Sequence, residues 1–546
     1  MRHSILLSII FLSVFAGSCW GQQTSPKYEV RAVWLTTIGG LDWPHSYAKS
    51  ESGIEKQKNE LIQTLNRLQD AGINMVLIQT RIRGTMLYPS QYEPWDGCLS
   101  GVPGRSPGYD PLQFAIDECH KRGMECHAWV VTIPVGKWNS AGCKALRAKM
   151  PKNIIKVGLD GYMNPETQLT ASYLADICEE ITCRYDVDGI HLDYIRYPED
   201  WQRHATGDMA RKNIDHIVQQ VSSKVKKHKP WVKMSCSPIG KYKDLPRQSS
   251  RGWNAYHRVY QDAQNWLKKG WMDMLLPMMY FRDNNYYPFL LDWKEQSFGR
   301  IIGTGLGIYF LSPREGNWPK EDIIREMQVA RQQEVGQAFF RSKFLTDNTK
   351  GIYDFLQLEF YKHPALVPPV TWSNAALPSA PQNFQMEISS TGRATICWQG
   401  TAPFYNIYFS KDFPVDTSRG ENLFVTRISG QHISIPETMA KRYYFAVTAM
   451  DKYGQESEPL QQSSPISNHS SSIRIIPNDG KTLQLPQELL QTIGDFIVIE
   501  TLQGEKISTQ RINDTKILIS HLPSGTYQLR ALNRQGRTHR LAFFRK

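Results

Sequence analysis

In residues 186–198, Asp-Val-Asp-Gly-Ile-His-Leu-Asp-Tyr-Ile-Arg-Tyr-Pro, a histidine and an aspartate alternate with apolar residues. On a strand, His191 and Asp193 would share one side, with Asp193 at the C-terminal end. A carboxylate followed by Tyr194, Arg196 and Tyr197 suits sugar chemistry. Carboxylic acids act on an anomeric carbon, and aromatic rings cover the apolar faces of pyranoses. Glycosidic hydrolysis normally needs two carboxyl groups, one to protonate the leaving oxygen and one as nucleophile or as base on water. Asp193 is the first choice for nucleophile or base; the competing reading is a carboxylate that merely pairs with Arg196 or Arg81. For its partner, Asp283, Glu93 and Glu315 stand in expected loops after the sixth, second and seventh strands, and the choice stays open.

Around these acids, Gln79, Arg81, Trp129, Tyr280 and Tyr309 fall at or near strand ends and join Tyr194 and Arg196 as candidates to line a subsite. The rings would stack, and Arg81 would pair with a substrate carboxylate. His127 and His191 would contact hydroxyls or orient Asp193, or else be neutral histidines satisfied inside the fold. Trp34 reads at least as well as core. Asp188 opens its strand and is expected to be a structural turn residue. No Cys/His spacing reads as a zinc site, and carboxylates with water suffice, so neither a metal nor an organic cofactor is expected.

The elements that must position these groups alternate regularly. Strands are expected at 30–36, 74–80, 125–131, 188–193, 232–237, 272–280, 301–309 and 335–341. Helices are expected at 55–71, 111–122, 166–185, 208–228, 255–269, 286–298, 320–334 and 349–361. Continuous apolar strands in βα units indicate a parallel (β/α)8 barrel over 27–362, whose catalytic groups sit at the C-terminal strand ends. The long segments 81–110 and 132–165 are expected as loops that build a cleft. A proline-framed linker, 363–379, precedes short alternating strands at 380–462; a serine-rich stretch then leads to a last β segment, 473–546. The fold class is α/β, a (β/α)8 TIM barrel followed by two small all-β sandwich domains.

The block around Asp193 also resembles the signature of the family 10-like glycosyl hydrolases, bacterial exported proteins with a TIM-barrel fold. Glu29-Val-Arg-Ala-Val-Trp-Leu35, Leu87-Tyr-Pro-Ser-Gln-Tyr-Glu-Pro-Trp95, Pro107-Gly-Tyr-Asp-Pro-Leu112, His127-Ala-Trp129 and Pro277-Met-Met-Tyr280 match in the same order, over about 27–361. The resemblance implies a glycoside hydrolase acting on bacterial envelope glycan such as peptidoglycan strands, with diet- or host-derived polysaccharide left open. Two departures stand out. Val130-Val-Thr-Ile-Pro134 replaces an Asn-Pro-containing stretch, and Tyr194 stands where relatives often carry a second acid. The alternatives are a non-catalytic glycan-binding surface protein and an envelope scaffold or adhesion protein. Trp398 and Tyr443-Tyr-Phe-Ala-Val-Thr-Ala449 make 380–462 resemble a fibronectin type III domain, and 522–530 resembles the C-terminal sorting-type sandwich of Bacteroidetes exported proteins.

The 546 residues, 41% hydrophobic and 11% aromatic, suit several globular domains. A formal charge of +12 favours an acidic partner. The cations are dispersed and no nucleic-acid motif accompanies them, so nucleic acid is not an expected partner. Met1-Arg2-His3, an apolar run over 4–15 and Ala16-Gly17-Ser18-Cys19 read as a secretory signal, 1–19, with Cys19 as a lipidation site. The expected location is therefore the cell envelope, periplasm or outer membrane, with membrane contact through that anchor alone. Of the nine cysteines, Cys98 and Cys143 are the one pair considered for a bridge.

Overall fold

The computed structural model describes residues 25–248, 252–388, 392–462, 476, 478–485, 496–501, 506–511, 515–532 and 538–546. The expected signal and Cys19 lie outside the described residues.

Eight parallel strands close into a barrel: β1 Arg31–Leu35, β2 Met75–Arg81, β3 Glu125–Val131, β4 Gly189–Asp193, β5 Lys233–Cys236, β6 Met274–Leu275, β7 Ile301–Leu306 and β8 Gly336–Phe339. Each pairs with its neighbours in sequence, and β8 closes on β1 with Arg31 opposite Gln337. The helices between them include α1 Glu51–Asp70, α2 Pro111–Lys121, α3 Gln168–Arg184, α4 Gly207–His228, α5 Ala263–Lys268, α6 Tyr287–Glu295 and α7 Lys320–Gln332. Their starts are written locally. Ser50, Asp110, Thr167 and Thr206 each cap an amide of the following turn, and Pro111 opens α2 where its missing N–H costs nothing. On α1, Ile54, Leu61, Leu65 and Leu68 form the buried stripe that fixes it to the barrel wall.

Strand alternation sorts the apolar side chains into two cores. Val33, Leu35, Val76, Ile78, Ala128, Val130, Ile190 and Leu192 face outward to the helices. Ala32, Trp34, Met75, Leu77, Trp129, Val131, Met274 and Ala338 fill the barrel interior. Polar groups share that interior in layers. Glu125 and Lys233 pair at its floor at 2.7 Å, while His191 and Ser235 meet halfway up at 2.9 Å.

Four expectations change. The helix expected at 255–269 is split into Ala255–Arg258 and α5, because Tyr260 adopts a left-handed φ of +62° between them. The segment 349–361 is helical but not one regular helix: a 3-10 turn Thr349–Gly351, an α-helical turn Ile352–Phe355 and a π-helical turn Leu356–Phe360 follow one another. The loop 132–165 holds an antiparallel sheet of Pro134–Lys137, Asp160–Met163 and Ile154–Val157, covered by the helix Ala141–Lys149. Gly161 permits that cover, since a Cβ there would lie 2.4 Å from Cys143 Sγ. Cys98 and Cys143 are separate, buried, free thiols, so the bridge considered between them is absent.

Beyond the barrel, Gln382–Ile388, Arg393–Gln399 and His432–Pro436 form one sheet, and Leu423–Ile428, Phe404–Ser410, Tyr444–Met450 and Leu460–Gln461 a second. Trp398, Tyr405, Ile407, Phe445 and Val447 pack in their shared core. The last segment has a four-stranded sheet of Lys506–Arg511, Phe496–Thr501, Thr526–Leu532 and Thr538–Arg545, with a two-stranded ribbon beside it. No helix among the described residues is long and apolar enough to cross a membrane.

Candidate active site

Asp193 ends β4 on the inward side, where barrel geometry opens to solvent. Its carboxylate is held from three directions. Trp129 Nε1 donates to Oδ2 at 3.1 Å; Ser237 Oγ and the Tyr194 backbone N–H donate to Oδ1 at 3.0 and 2.8 Å. Its carbonyl accepts from Thr132 N and Oγ1, each at 2.9 Å, which ties the end of β4 to the loop leaving β3. A partly exposed carboxylate surrounded by donors is equipped to attack a carbon or to take a proton from water.

Beneath it lies a buried polar layer. Trp34 Nε1 can only donate, so His191 Nε2 accepts from it at 3.2 Å, and the ring proton sits on Nδ1 facing Ser235 Oγ. Burial, with His127 close by, pushes His191 down to about 3. His127 is also fully buried, with Nε2 3.0 Å from Glu125. Both histidines are thus interior groups, and the reading in which they touch substrate hydroxyls gives way to the one in which they are satisfied in the barrel layers.

Arg81 and Glu93 bind each other. Arg81 Nε lies 3.0 and 2.9 Å from the two Glu93 oxygens, Nη2 lies 2.6 Å from Oε1, and neither side chain has exposed surface. Arg81 also donates to the Val131 and Thr132 carbonyls, so the pair fastens two loops at the barrel mouth. Arg81 has no face left for a substrate carboxylate, and Glu93 cannot reach a glycosidic oxygen. The amide oxygen of Gln79 is taken too, since Oε1 accepts from Thr37 N and Ile38 N at 3.0 and 2.8 Å.

The other acids are exposed. Asp283 sits in a short turn over the outer helices, where its charge acts on Tyr287 and Glu326. Glu315 stands beside Tyr309, whose hydroxyl burial and that carboxylate push up to about 12. Tyr309 meets Tyr280 edge to face at 5.8 Å. Burial raises Tyr280 well above its ordinary range, with Tyr309 and then Asp193 adding to the effect. Tyr280, Tyr309 and Phe340 thus form one aromatic cluster, with the Asp193 charge acting on Tyr280 and the Glu315 charge on Tyr309. On the other side, the Tyr162 ring lies 6.3 Å from that of Tyr194. Arg196 is paired with Glu199 at 3.0 Å.

Sequence reasoning passed over Ser237, Thr132, Tyr162, Phe340 and Glu199. Glu199 was open to view, an acid directly after the block that holds Asp193; Tyr162 belongs to a sheet that read as loop. Among the described residues, no cluster of three His, Cys, Asp or Glu side chains is placed to hold a metal ion.

The chain matches the glycosyl hydrolase-like 10 family over residues 29–207 and 202–297. Glycosyl hydrolase YngK of Bacillus subtilis (strain 168) is 31% identical over 392 residues, 65% of this chain and 76% of that protein. Glycosyl hydrolase DigH of Escherichia coli (strain K12) is 30% identical over 310 residues, 50% of this chain and 70% of that one. Among solved structures, the PgaB (BpsB) glycoside hydrolase domain from Bordetella bronchiseptica aligns with 61% of this chain and 99% of that one, at 12% identity and a TM-score of 0.42. With a barrel that carries its reacting carboxylate candidate at the mouth, the chain belongs to the glycosyl hydrolase-like 10 family and is a glycosyl hydrolase-like enzyme acting on carbohydrate.

Proposed function

We propose that this enzyme cleaves the glycan strands of the bacterial cell wall, with Asp193 as nucleophile or base and Glu315 as the acid that protonates the leaving oxygen. The observation that carries the reading is Asp193 itself, held by Trp129, Ser237 and Tyr194 at the open end of β4. Glu315 is favoured over Asp283 and Glu93 because its charge acts on Tyr309, whose ring meets Tyr280, the tyrosine on which the Asp193 charge acts. An anionic glycan suits the +12 charge. It also suits the insertion at the barrel mouth, where Lys137, Lys144, Arg147, Lys149, Lys152 and Lys156 face only Asp160 in balance.

Export with a lipid anchor on Cys19 would bring the barrel to that substrate. In this reading 380–462 is a fibronectin type III spacer, supported by its three-stranded and four-stranded sheets packed around Trp398. The test is product release by the purified mature protein and its Asp193→Asn variant, on peptidoglycan strands with and without stem peptides and on other polysaccharides. Cleavage of the peptidoglycan strands, lost in the variant, is expected. Cleavage of another polysaccharide alone would replace the substrate, and binding without cleavage would favour a glycan-binding protein.

A further inference from the structure

Directly after Asp193, Tyr194 holds a φ of +52°, a left-handed conformation that is unusual and costly for a bulky side chain. Three contacts keep it there. The Arg196 guanidinium lies 3.7 Å from the centroid of the Tyr194 ring. Glu199 Oε1 accepts from Arg196 Nε and Nη2 at 3.2 and 3.0 Å, and Glu199 Oε2 accepts the Tyr194 hydroxyl. The Arg196 N–H then closes the turn onto the Tyr194 carbonyl at 2.9 Å. The turn fixes the peptide plane between residues 193 and 194 against the loop, and that plane carries the N–H that reaches Asp193 Oδ1 at 2.8 Å.

We propose that Tyr194, Arg196 and Glu199 form a clamp that fixes the orientation of the Asp193 carboxylate, with Tyr194 as a positioning residue and Glu199 acting on the reaction through it. The proposal rests on the reading of Asp193 as the reacting carboxylate. The clamp lies in one loop, so loosening it misplaces one of the three donors that orient Asp193, the Tyr194 N–H, while Trp129, Ser237 and the barrel core stay in place. Misorientation of a reacting group lowers turnover more than binding.

The experiment compares the full mature chain with Tyr194→Phe, Glu199→Gln, their double variant and Asp193→Asn on peptidoglycan glycan strands, measuring kcat, KM, the pH profile of kcat/KM and the urea midpoint. Glu199→Gln and Tyr194→Phe should each lower kcat about tenfold, leave KM within about twofold and keep both limbs of the pH profile. The double variant should be no slower than the worse single one, because both changes break the same clamp. Unchanged kcat in the single variants, or losses that multiply in the double variant, would overturn the clamp. So would a Glu199→Gln variant that lost one limb of the pH profile, since Glu199 would then be a reacting group itself. Full turnover by Asp193→Asn would instead remove the reading beneath the proposal, whatever the clamp variants did.

Discussion

Arg427, in the first β domain, reaches under the barrel and donates to Asp188 at 2.5 Å, at the foot of the strand whose far end carries Asp193. Its other nitrogen lies 3.2 Å from Glu125, which also takes Lys233 and His127. Burial works against charge on Asp188, yet Arg427, His120 and the Cys126 N–H hold its carboxyl well below the usual range. Glu125 is held down to about 2, mainly by Lys233, against the same burial. Removing Arg427 would leave buried Asp188 with only His120 and the Cys126 N–H, while Glu125 would keep Lys233 and His127. Arg427→Met is expected to cost about 3–5 kcal/mol in urea unfolding of the whole chain, with kcat per folded molecule unchanged. Arg427→Met combined with Asp188→Asn should cost less than the sum of the two. A loss below about 1 kcal/mol would mean that solvent reaches this site and screens it.

The placement of the acids ranks them for mutagenesis. Glu315→Gln should lower kcat at least about a hundredfold, the loss ordinarily seen when a general acid is removed. Asp283→Asn should leave kcat near wild type, because Asp283 faces the outer helices rather than Asp193. Glu93→Gln should act through the fold instead, lowering the urea midpoint by leaving Arg81 buried with a weaker partner. The reverse ranking of Glu315 and Asp283 in steady-state kinetics would reassign the acid.

The barrel was legible in sequence because parallel strands buried on both faces read as unbroken apolar runs, and because turn residues and caps marked the helix starts. The inward set His127, Trp129, His191 and Asp193 followed from alternation alone. What alternation cannot tell is whether an inward polar group meets solvent or another part of the chain. Arg81 and the Gln79 amide oxygen looked like cleft groups until Glu93 and the Thr37 turn folded back onto them. Both contacts depend on where a distant loop returns. The insertion sheet was missed because its strands are four residues long, two of them interrupted by glycine, too short to establish a period. The Tyr194 clamp depends on one left-handed residue, and nothing in the composition of its block announces that turn.

His191 gives the barrel a pH dependence of defined sign. In the unfolded chain it takes up a proton near pH 6.5, whereas in the barrel it stays neutral down to about 3. The unfolded state therefore binds the extra proton between these values, and stability falls as pH falls from 6.5. Glu125 and Asp188 lose their own contribution only nearer pH 4, which leaves 6.5 to 4.5 as the window for His191. His191→Gln should be less stable than wild type at pH 7. The gap should narrow by up to about 1.4 kcal/mol per pH unit below 6.5, read from urea midpoints. A gap that stays constant across that window would show that His191 titrates normally.

Glu326 has the opposite sign. It lies buried on the inner side of α7, with no hydrogen-bond partner for Oε1 among the described residues. Burial, aided by Asp322 and Asp283, pushes its carboxyl up to about 9. Between an ordinary carboxyl value near 4.5 and 9 the folded protein keeps a proton that the unfolded chain has released, so this group costs stability as pH rises. Glu326→Gln cannot titrate and should lack that slope. The variant is expected to gain on wild type steadily above pH 4.5, reaching on the order of a few kcal/mol by pH 8 relative to its position at pH 5. The offset at any one pH also contains the cost of burying an amide, so the slope of the difference is the quantity to read. Parallel stability curves from pH 5 to 8 would mean that Glu326 is charged in the folded protein, with water or a moving side chain reaching Oε1.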